Sequence, residues 1–326
     1  MLNIYLDSNI ISYLQYPENY TKMAGDNSIS IVKAYLDNLI YPVSVLYSPA
    51  HLMDSRKQFG KTPALALAKL EFISQLTKNT CLLQDIYTKE IRIEVRNATG
   101  LFSAYNDLHK VSVELGNRTK IATLVEDSGL FEAYKKAEVN YLEVAHCFKD
   151  LPISFRRTKE SPNVFSLMCD LAEQFDPLFT DGHSLYKILR DKMQFDTAIT
   201  DKLVGQKNPL TVADQLLPET ETGQLMQDVM TDSFRLAPDN REDLIASLFM
   251  NLDSLGYRQD KLRPGHGYMS VATDAQHAFY ASYCDIFVTQ DERTADKAKA
   301  VYEYLQLPTK VVNLNELAAL VQESSL

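Results

Sequence analysis

The two ends of the chain carry the same pattern, a short apolar run followed by an aspartate and a helix-forming segment. Near the start, Leu2–Leu6 is apolar, contains β-branched and aromatic side chains, and ends at Asp7. Near the other end, the run DIFVT at 285–289 is followed by Asp291, and a further run, KVVNL, occupies 310–314. Runs of this length and composition are typical of buried strands. Strand and helix therefore alternate at both termini, which predicts one mainly parallel sheet built from both chain ends.

The middle of the chain has a different pattern. From about 62 to 255, apolar residues recur at mixed spacings of three and four, as on one face of an amphipathic helix. Helices are predicted throughout this stretch, and one of them covers Lys89–Asn97. We therefore expect an α/β domain formed by residues 1–61 and 263–326, with a large helical insertion or subdomain at 62–262.

Length and composition limit the class of protein. The 326 residues are 45% hydrophobic and 23% charged, as in an ordinary soluble globular protein. Acids outnumber bases by 43 to 33, which argues against a chain that coats nucleic acid by bulk positive charge but leaves a local basic groove open. The four cysteines have no CxxC spacing, so they indicate neither a zinc site nor a disulfide framework. No uncharged apolar run reaches the ~18 residues of a membrane span, and we expect a cytoplasmic protein.

Four aspartates occupy positions from which they could meet. Asp7 and Asp291 follow predicted strands, and the carboxyl ends of parallel strands lie at one edge of a sheet. Asp54 lies on a helix predicted to begin at Pro49, and Asp274 is predicted to open the helix before the late strand. Carboxylates that converge repel one another unless protons or hard cations intervene, and oxygen ligands suit Mg²⁺ or Mn²⁺. The pattern therefore predicts a metal-assisted hydrolase site.

Each of these aspartates also has a structural interpretation. Asp7, Asp274 and Asp291 could each be the N-cap of the helix that follows, which is a common use of Asp after a strand. Asp54 could be a solvated residue on the surface of its helix. The joint pattern of the four favours the site over four separate structural uses.

Two histidines lie at helical spacing from two of the acids. His51 precedes Asp54 by three residues and His277 follows Asp274 by three, so each pair would share a helix face. These histidines could orient the carboxylates or touch a phosphate. A partly buried, hydrogen-bonded structural histidine is the commoner outcome, and both interpretations stay open.

Small groups of basic residues follow two of the acids. Arg56 and Lys57 come directly after Asp54, and Arg293 comes after Asp291. Charge groups usually mark a solvated face. Because a phosphate-binding crevice needs cations beside its carboxylates, we predict that these three side chains contact the substrate backbone.

Four segments resemble the successive acidic motifs of the PIN-domain nucleases. They are IYLDSN at 4–9, YSPAHLMD at 47–54, TDAQHAFYASYCD at 273–285 and FVTQD at 287–291. The resemblance extends over about 1–60 and 264–322, and the interval of 220 positions between Asp54 and Asp274 is far longer than in compact members of the family. A carboxylate from the insertion could therefore take the place of Asp54.

The resemblance implies a PIN-like three-layer α/β/α fold with the acids of the family motifs at the active site. Those acids would be Asp7, Asp54, Asp274 and Asp291, which would bind Mg²⁺ or Mn²⁺ and carry the reaction. Asp285, six residues before Asp291, is a further candidate ligand. Two polar residues of the same motifs, Asn9 and Thr289, match positions that support the site and its substrate.

The function that the resemblance implies is metal-dependent hydrolysis of phosphodiester bonds in nucleic acid, with RNA favoured over DNA. A phosphatase of haloacid-dehalogenase type is disfavoured, because Asp7 is followed by Ser8 and Asn9 and not by a second Asp in a D-x-D pair. The non-enzymatic alternative is an inactive PIN-like scaffold whose helical insertion binds a protein or nucleic-acid partner. A second copy of the chain or a regulatory protein stays open as a further partner, and no membrane is expected.

Overall fold

The computed structural model describes residues 2–19, 27–38, 43–85, 90–104, 190–191, 194, 199–206, 208–217, 241–260 and 267–323. Nearly all of these residues belong to one compact unit, which contains the segments Met1–Ser103, Leu189–Lys261 and Tyr268–Leu326. Two parts of the predicted insertion, 62–103 and 189–261, thus belong to the same unit as the chain ends. Most of the remainder of that insertion lies outside the described residues, so the predicted division of the chain stays a prediction.

The sheet contains four parallel strands: β1 Leu2–Leu6, β2 Val43–Leu46, β5 Ile286–Val288 and β6 Lys310–Val312. Their order across the sheet is β2-β1-β5-β6. In the two central strands Leu6 is paired with Val288, so the start of the chain lies directly beside a segment near its end. The prediction of an α/β protein with a parallel sheet built from both termini is therefore confirmed.

The helices are α1 Ser8–Gln15, α2 Ser28–Asp37, α3 Pro49–Phe59, α4 Pro63–Leu76, α5 Thr200–Leu203, α6 Pro209–Leu216, α7 Arg241–Ser254, α8 Gly267–Ala281, α9 Glu292–Tyr304 and α10 Leu314–Gln322. A short 3₁₀ helix covers Pro17–Asn19. Within the described ranges, no helix combines the length and the apolar character needed to cross a bilayer.

The sheet is buried on both faces, because alternate residues of its central strands enter two different hydrophobic clusters. Ile4 and Leu6 pack in one cluster with residues of α1, α2 and α10, whereas Tyr5 packs in the other with residues of α7, α8 and α9. In β5, Phe287 likewise lies in the second cluster and its neighbour Val288 in the first. Strands covered on both faces read as continuous apolar runs, as these do. The arrangement is compatible with three α/β/α layers.

A two-stranded antiparallel sheet replaces one predicted helix. Its strands are β3 Thr80–Gln84 and β4 Ile91–Val95, so the helix predicted over Lys89–Asn97 is wrong. Residues 91–95 read Ile-Arg-Ile-Glu-Val, in which apolar β-branched residues alternate with charged ones. Such a period of two matches a strand, which has alternate side chains on opposite faces, and not the 3.6-residue period of a helix.

Candidate active site

Asp7 lies at the carboxyl edge of the sheet, where β1 gives way to α1. Its backbone N–H donates to the carbonyl of Val288 at 2.9 Å, which holds it against β5. One carboxylate oxygen, Oδ1, accepts the N–H of Ser8 at 2.6 Å as the N-cap of α1, and Oδ2 accepts the hydroxyl of Thr289 at 2.7 Å. Burial raises the pKa of Asp7, and the charge of Asp54 adds to this, while His277 and Thr289 act in the opposite direction.

Asp291 lies at the same edge, where β5 gives way to α9. It caps α9, because its Oδ1 accepts the N–H groups of Arg293 at 2.8 Å and Thr294 at 3.1 Å. The Thr289 hydroxyl oxygen accepts the N–H of Asp291 at 3.2 Å, so one threonine is hydrogen-bonded to both Asp7 and Asp291. The capping interpretation is thus confirmed for both aspartates, and capping is also what fixes them at the edge.

Asp274 lies inside α8 and not at its start, because that helix begins seven residues earlier at Gly267. Its expected position as the opening residue of the helix is therefore wrong, and so is the capping interpretation. Burial raises the pKa of Asp274 well above the ordinary value, and the charges of Asp7, Asp260 and Asp291 raise it further, whereas Lys297 opposes them. Three other carboxylates are therefore close enough to Asp274 to affect its pKa.

Asp54 lies on α3, which begins at Pro49 as predicted, and it is held by two basic side chains. Nε2 of His277 donates to its Oδ2 at 3.0 Å, and Nζ of Lys57 lies 3.4 Å from its Oδ1. Burial acts to raise the pKa of Asp54, but the hydrogen bond and charge of His277, together with Lys57, outweigh it and hold the pKa below the usual range. Nε2 of His277 lies within 4.0 Å of a carboxylate oxygen of both Asp54 and Asp7, so these two carboxylates are neighbours.

His277 joins the acidic edge to the interior of the protein. Its side chain is 1% exposed, and its Nδ1 hydrogen-bonds with the hydroxyl of Tyr5 at 2.9 Å. Its Nε2 lies between Oδ2 of Asp54, at 3.0 Å, and Oδ1 of Asp7, at 4.0 Å. Sequence spacing pairs this histidine with Asp274, but its hydrogen-bond partner is Asp54 on another helix, whose carboxylate it orients.

His51 has a structural role. It is buried, its Nδ1 accepts the N–H of Ser48 at 3.1 Å, and its Nε2 lies 2.7 Å from the carbonyl of Leu6. Nδ1 is an acceptor, so Nε2 carries the hydrogen and donates it to Leu6. Burial and the charge of His277 lower the pKa of His51 to about 3, so the ring is neutral. Together with Ser48 it forms the capping box that begins α3.

The structure does not bring Asp285 together with the other acids. It precedes β5, and its Oδ2 accepts the N–H of Asn3 at 2.6 Å near the start of β1, at the opposite edge of the sheet.

Asn9 is on the first turn of α1, two residues after Asp7. Its Oδ1 is buried, and in the described structure it has no hydrogen-bond partner.

Two of the three basic residues predicted to contact substrate, Lys57 and Arg293, already form ion pairs with carboxylates. Lys57 bonds to Asp54 and also donates to the Thr273 hydroxyl at 2.8 Å, and Arg293 donates through Nη1 to Asp260 at 3.1 Å. Their side chains are 50% and 38% exposed, so both also reach solvent. Arg56 lies on α3 next to Lys57. A phosphate at this edge would compete with carboxylates for the two ion-paired cations.

Sequence reasoning missed two buried lysines. Lys297, on α9, has a side chain only 2% exposed, and its Nζ lies 2.7 Å from Oδ1 of Asp253 and 2.8 Å from Oδ2 of Asp260. Lys69, on α4, donates to the carbonyl of Ser8 at 3.2 Å. A lysine on the apolar face of a helix is the signal that could have found Lys297, since the buried residues of α9 include Thr294, Ala298 and Val301.

The donor atoms at this edge fit a hard divalent cation in kind. They are carboxylate oxygens from several elements, and within the described part of the chain no side chain hydrogen-bonds to or ion-pairs with the carboxylate of Asp274. They are not preorganised as a metal site: among the residues that the structure describes, no group of three or more His, Cys, Asp or Glu side chains has such an arrangement.

Comparisons of the chain with protein-family models, with curated proteins and with solved structures each found no match. The resemblance to the PIN-domain nucleases therefore rests on the four sequence motifs alone.

Proposed function

We propose that the chain is a metal-dependent nuclease that hydrolyses phosphodiester bonds in nucleic acid, RNA in preference to DNA. In this proposal Mg²⁺ or Mn²⁺ binds at Asp7, Asp274 and Asp291, with Asp54 as a direct or water-mediated ligand. The three-layer PIN-like fold belongs to the same proposal, which the parallel sheet and the order of the acidic motifs support.

The observation that carries the proposal is the way in which charge is distributed among the acids of the edge. Three acids at or near this edge have a basic side chain within 3.0 Å of a carboxylate oxygen: His277 for Asp54, and Lys297 for both Asp253 and Asp260.

The other three acids have no such partner. Among the described side chains, no cationic group lies at ion-pair distance from Asp274 or Asp291, and Asp7 has only His277, 4.0 Å away. These are three of the four aspartates that the resemblance implies as metal ligands. Carboxylates that repel one another and have no cation in ion-pair contact favour the binding of one.

The side chains of the edge could perform distinct tasks. Hydrogen bonds from Ser8 and Thr289 hold the Asp7 carboxylate, and N–H groups at the start of α9 hold that of Asp291. Both carboxylates are therefore fixed in place before a ligand binds. His277 orients Asp54. A bound Mg²⁺ or Mn²⁺ would lower the pKa of a water ligand and neutralise charge on the scissile phosphate.

A catalytically inactive PIN-like scaffold is the second candidate. It is favoured by the absence of a preformed metal arrangement among the described residues, and by the carboxylates that already engage Lys57 and Arg293. Because these ion pairs already neutralise part of the negative charge of the site, they weaken the attraction of the site for a metal ion. Such a scaffold would bind a protein or nucleic-acid partner through its insertion.

The test is cleavage of end-labelled RNA and single-stranded DNA by the purified chain, with Mn²⁺, with Mg²⁺ and with a chelator. We expect metal-dependent cleavage that Asp7→Asn and Asp274→Asn abolish. Asp285→Asn is the matched control, because Asp285 lies at the opposite sheet edge and an Asn oxygen can still accept the N–H of Asn3. Full cleavage by Asp7→Asn would refute the proposal, and metal-independent binding without cleavage would favour the scaffold.

A further inference from the structure

β4 is an edge strand, because within the described part of the chain it pairs with β3 alone. The N–H of Arg96 donates to the carbonyl of Asn79 at 2.7 Å, and the N–H of Asp85 donates to the carbonyl of Glu90 at 2.9 Å. In an antiparallel pair, every second residue directs both its N–H and its carbonyl at the partner strand. The backbone groups of residues 90, 92, 94 and 96 therefore face β3, and those of residues 91, 93 and 95 point outward. An edge of this kind is a template for pairing with another strand.

The side chains of this edge form an apolar row on one face and a charged row on the other. In the apolar row, Ile93 is 51% exposed and Val95 is 75% exposed. The charged row alternates in sign along the strand and consists of Glu90, Arg92, Glu94 and Arg96. Each of these four side chains forms an ion pair within the chain and is still between 35% and 67% exposed. A row of one sign would repel a second copy of itself, whereas a row of alternating sign has a register in which it attracts one.

That register is antiparallel and centred on Ile93. About a twofold axis at this residue, Arg92 of each copy lies opposite Glu94 of the other, and residue 90 lies opposite residue 96, again with opposite charges. The outward backbone groups of residues 91, 93 and 95 also face one another, so they can complete a ladder. The nearest symmetric registers, centred on residue 92 or 94, instead place Arg92 against Arg92 or Glu94 against Glu94. Like charges directly opposite each other destabilise a sheet.

We propose that the outer edge of β4 is a homodimer interface, through which two copies of the chain form one antiparallel sheet in the order β3-β4-β4-β3. Each copy contributes the same residues, as a twofold dimer requires. The occupant is a second copy because the charged row complements itself along the whole strand. Main-chain hydrogen bonds supply affinity in strand addition, and the charged row selects the register. This inference uses none of the proposed metal ligands and is independent of the nuclease proposal.

Sedimentation equilibrium of the full chain, from low micromolar to submillimolar concentration, tests the dimer. An interface built on five residues is small, so we expect wild type to pass reversibly from monomer to dimer in this range. Arg92→Glu and Glu94→Arg each place like charges opposite one another, and each variant alone should dimerise at least about tenfold more weakly than wild type. Lys61→Glu is the matched control for the change in charge, since Lys61 is exposed and lies outside the strand, and it should dimerise like wild type. A monomeric wild type, or dimers of equal strength in all four proteins, would overturn the proposal.

Mixing the two charge variants tests the register. Every cross-strand charge pair between Arg92→Glu and Glu94→Arg is again opposite in sign when the strands pair about Ile93 and in neither neighbouring register. An equimolar mixture, with one variant carrying a fluorescent label, should therefore form a heterodimer about as tightly as wild type forms its homodimer. A mixture that associates no more strongly than its components would overturn the proposal.

Amide hydrogen exchange of wild type gives a check that needs no substitution. The N–H of Ile93 points outward, so its exchange should slow as the protein concentration rises, whereas the N–H groups of Arg92 and Glu94 are bonded to β3 in monomer and dimer alike. We expect a concentration dependence at residue 93 that is absent at residues 92 and 94. Exchange at residue 93 that is the same in monomer and dimer would overturn the proposal.

Discussion

Asp7 and Asp291 each combine a structural and an electrostatic task in one side chain. As N-caps they satisfy N–H groups at the start of α1 and α9, and as carboxylates they place negative charge at the sheet edge. The structural interpretation and the site interpretation, which the sequence offered as alternatives, are therefore compatible. Substitutions that keep the cap but remove the charge can separate the two tasks.

Asp291 allows this separation directly. Asn is as good an N-cap as Asp, whereas Ala cannot accept the N–H groups of Arg293 and Thr294. We expect Asp291→Asn to keep the free energy of unfolding within about 0.5 kcal/mol of wild type, and Asp291→Ala to lower it by about 1 kcal/mol. Both should lose Mn²⁺ affinity. Urea unfolding with chelator and Mn²⁺ titration measure the two effects, and equal stability of the two variants would contradict the capping role.

Asp274 should make the metal-free protein less stable as the pH rises. Because its pKa is raised in the folded state, its contribution to stability is fully present below the unfolded value, about 3.9, and is lost as the pH rises through the folded value. Asp274→Asn removes this loss, worth about 1.4 kcal/mol for each unit of pKa. In chelator, we expect the variant to exceed wild type in stability at pH 8 by more than at pH 4.5. A difference that does not change with pH would contradict the raised pKa.

Whole elements differ in how well the sequence predicts them. The four strands of the parallel sheet follow from local composition, because strands buried on both faces are short continuous apolar runs. The helix that carries Asp274 begins at Gly267, seven residues before the position at which the sequence predicts its start. The alternation of apolar and charged residues over 91–95 is the local signal for β4, and it covers only five residues within a segment whose apolar spacing is otherwise typical of helices.

The end of α7 is set by a glycine, and a substitution there tests it. Gly256 has φ of +87°, and a Cβ at this position would lie 2.5 Å from Cγ2 of Thr200. We expect Gly256→Ala to lower the free energy of unfolding by at least about 1 kcal/mol, because the left-handed conformation is costly for alanine and Thr200 must move. Gly60→Ala is the control, since nothing lies within 4 Å of a Cβ there. Equal effects in chemical denaturation would show that neither cause operates.

At the scale of the whole molecule, the acidic edge exists only because β1 and β5 are neighbours. Their pairing brings Asp7 and Asp291 to one edge, although most of the chain separates them in sequence. Alternating strands and helices at the two termini were enough to predict that both strands belong to one parallel sheet. The buried cations could not be predicted in the same way, because Lys297 meets Asp253 through the packing of α9 against α7, which no local pattern specifies.

Metal binding should therefore be linked to the stability of the whole fold. The unfolded chain separates the carboxylates of Asp7, Asp274 and Asp291, so an ion that needs them together binds the folded form alone. At 100 times its Kd such an ion adds about 2.7 kcal/mol to the free energy of unfolding.

We expect Mn²⁺ to raise the Tm of wild type and of Asp285→Asn equally, and to raise that of Asp7→Asn far less. Asp7→Asn should itself be at least as stable as wild type in chelator, because burial and the charge of Asp54 raise the pKa of Asp7. The same Mn²⁺ shift in all three proteins would mean that the ion binds elsewhere, and would remove the physical basis of the nuclease proposal.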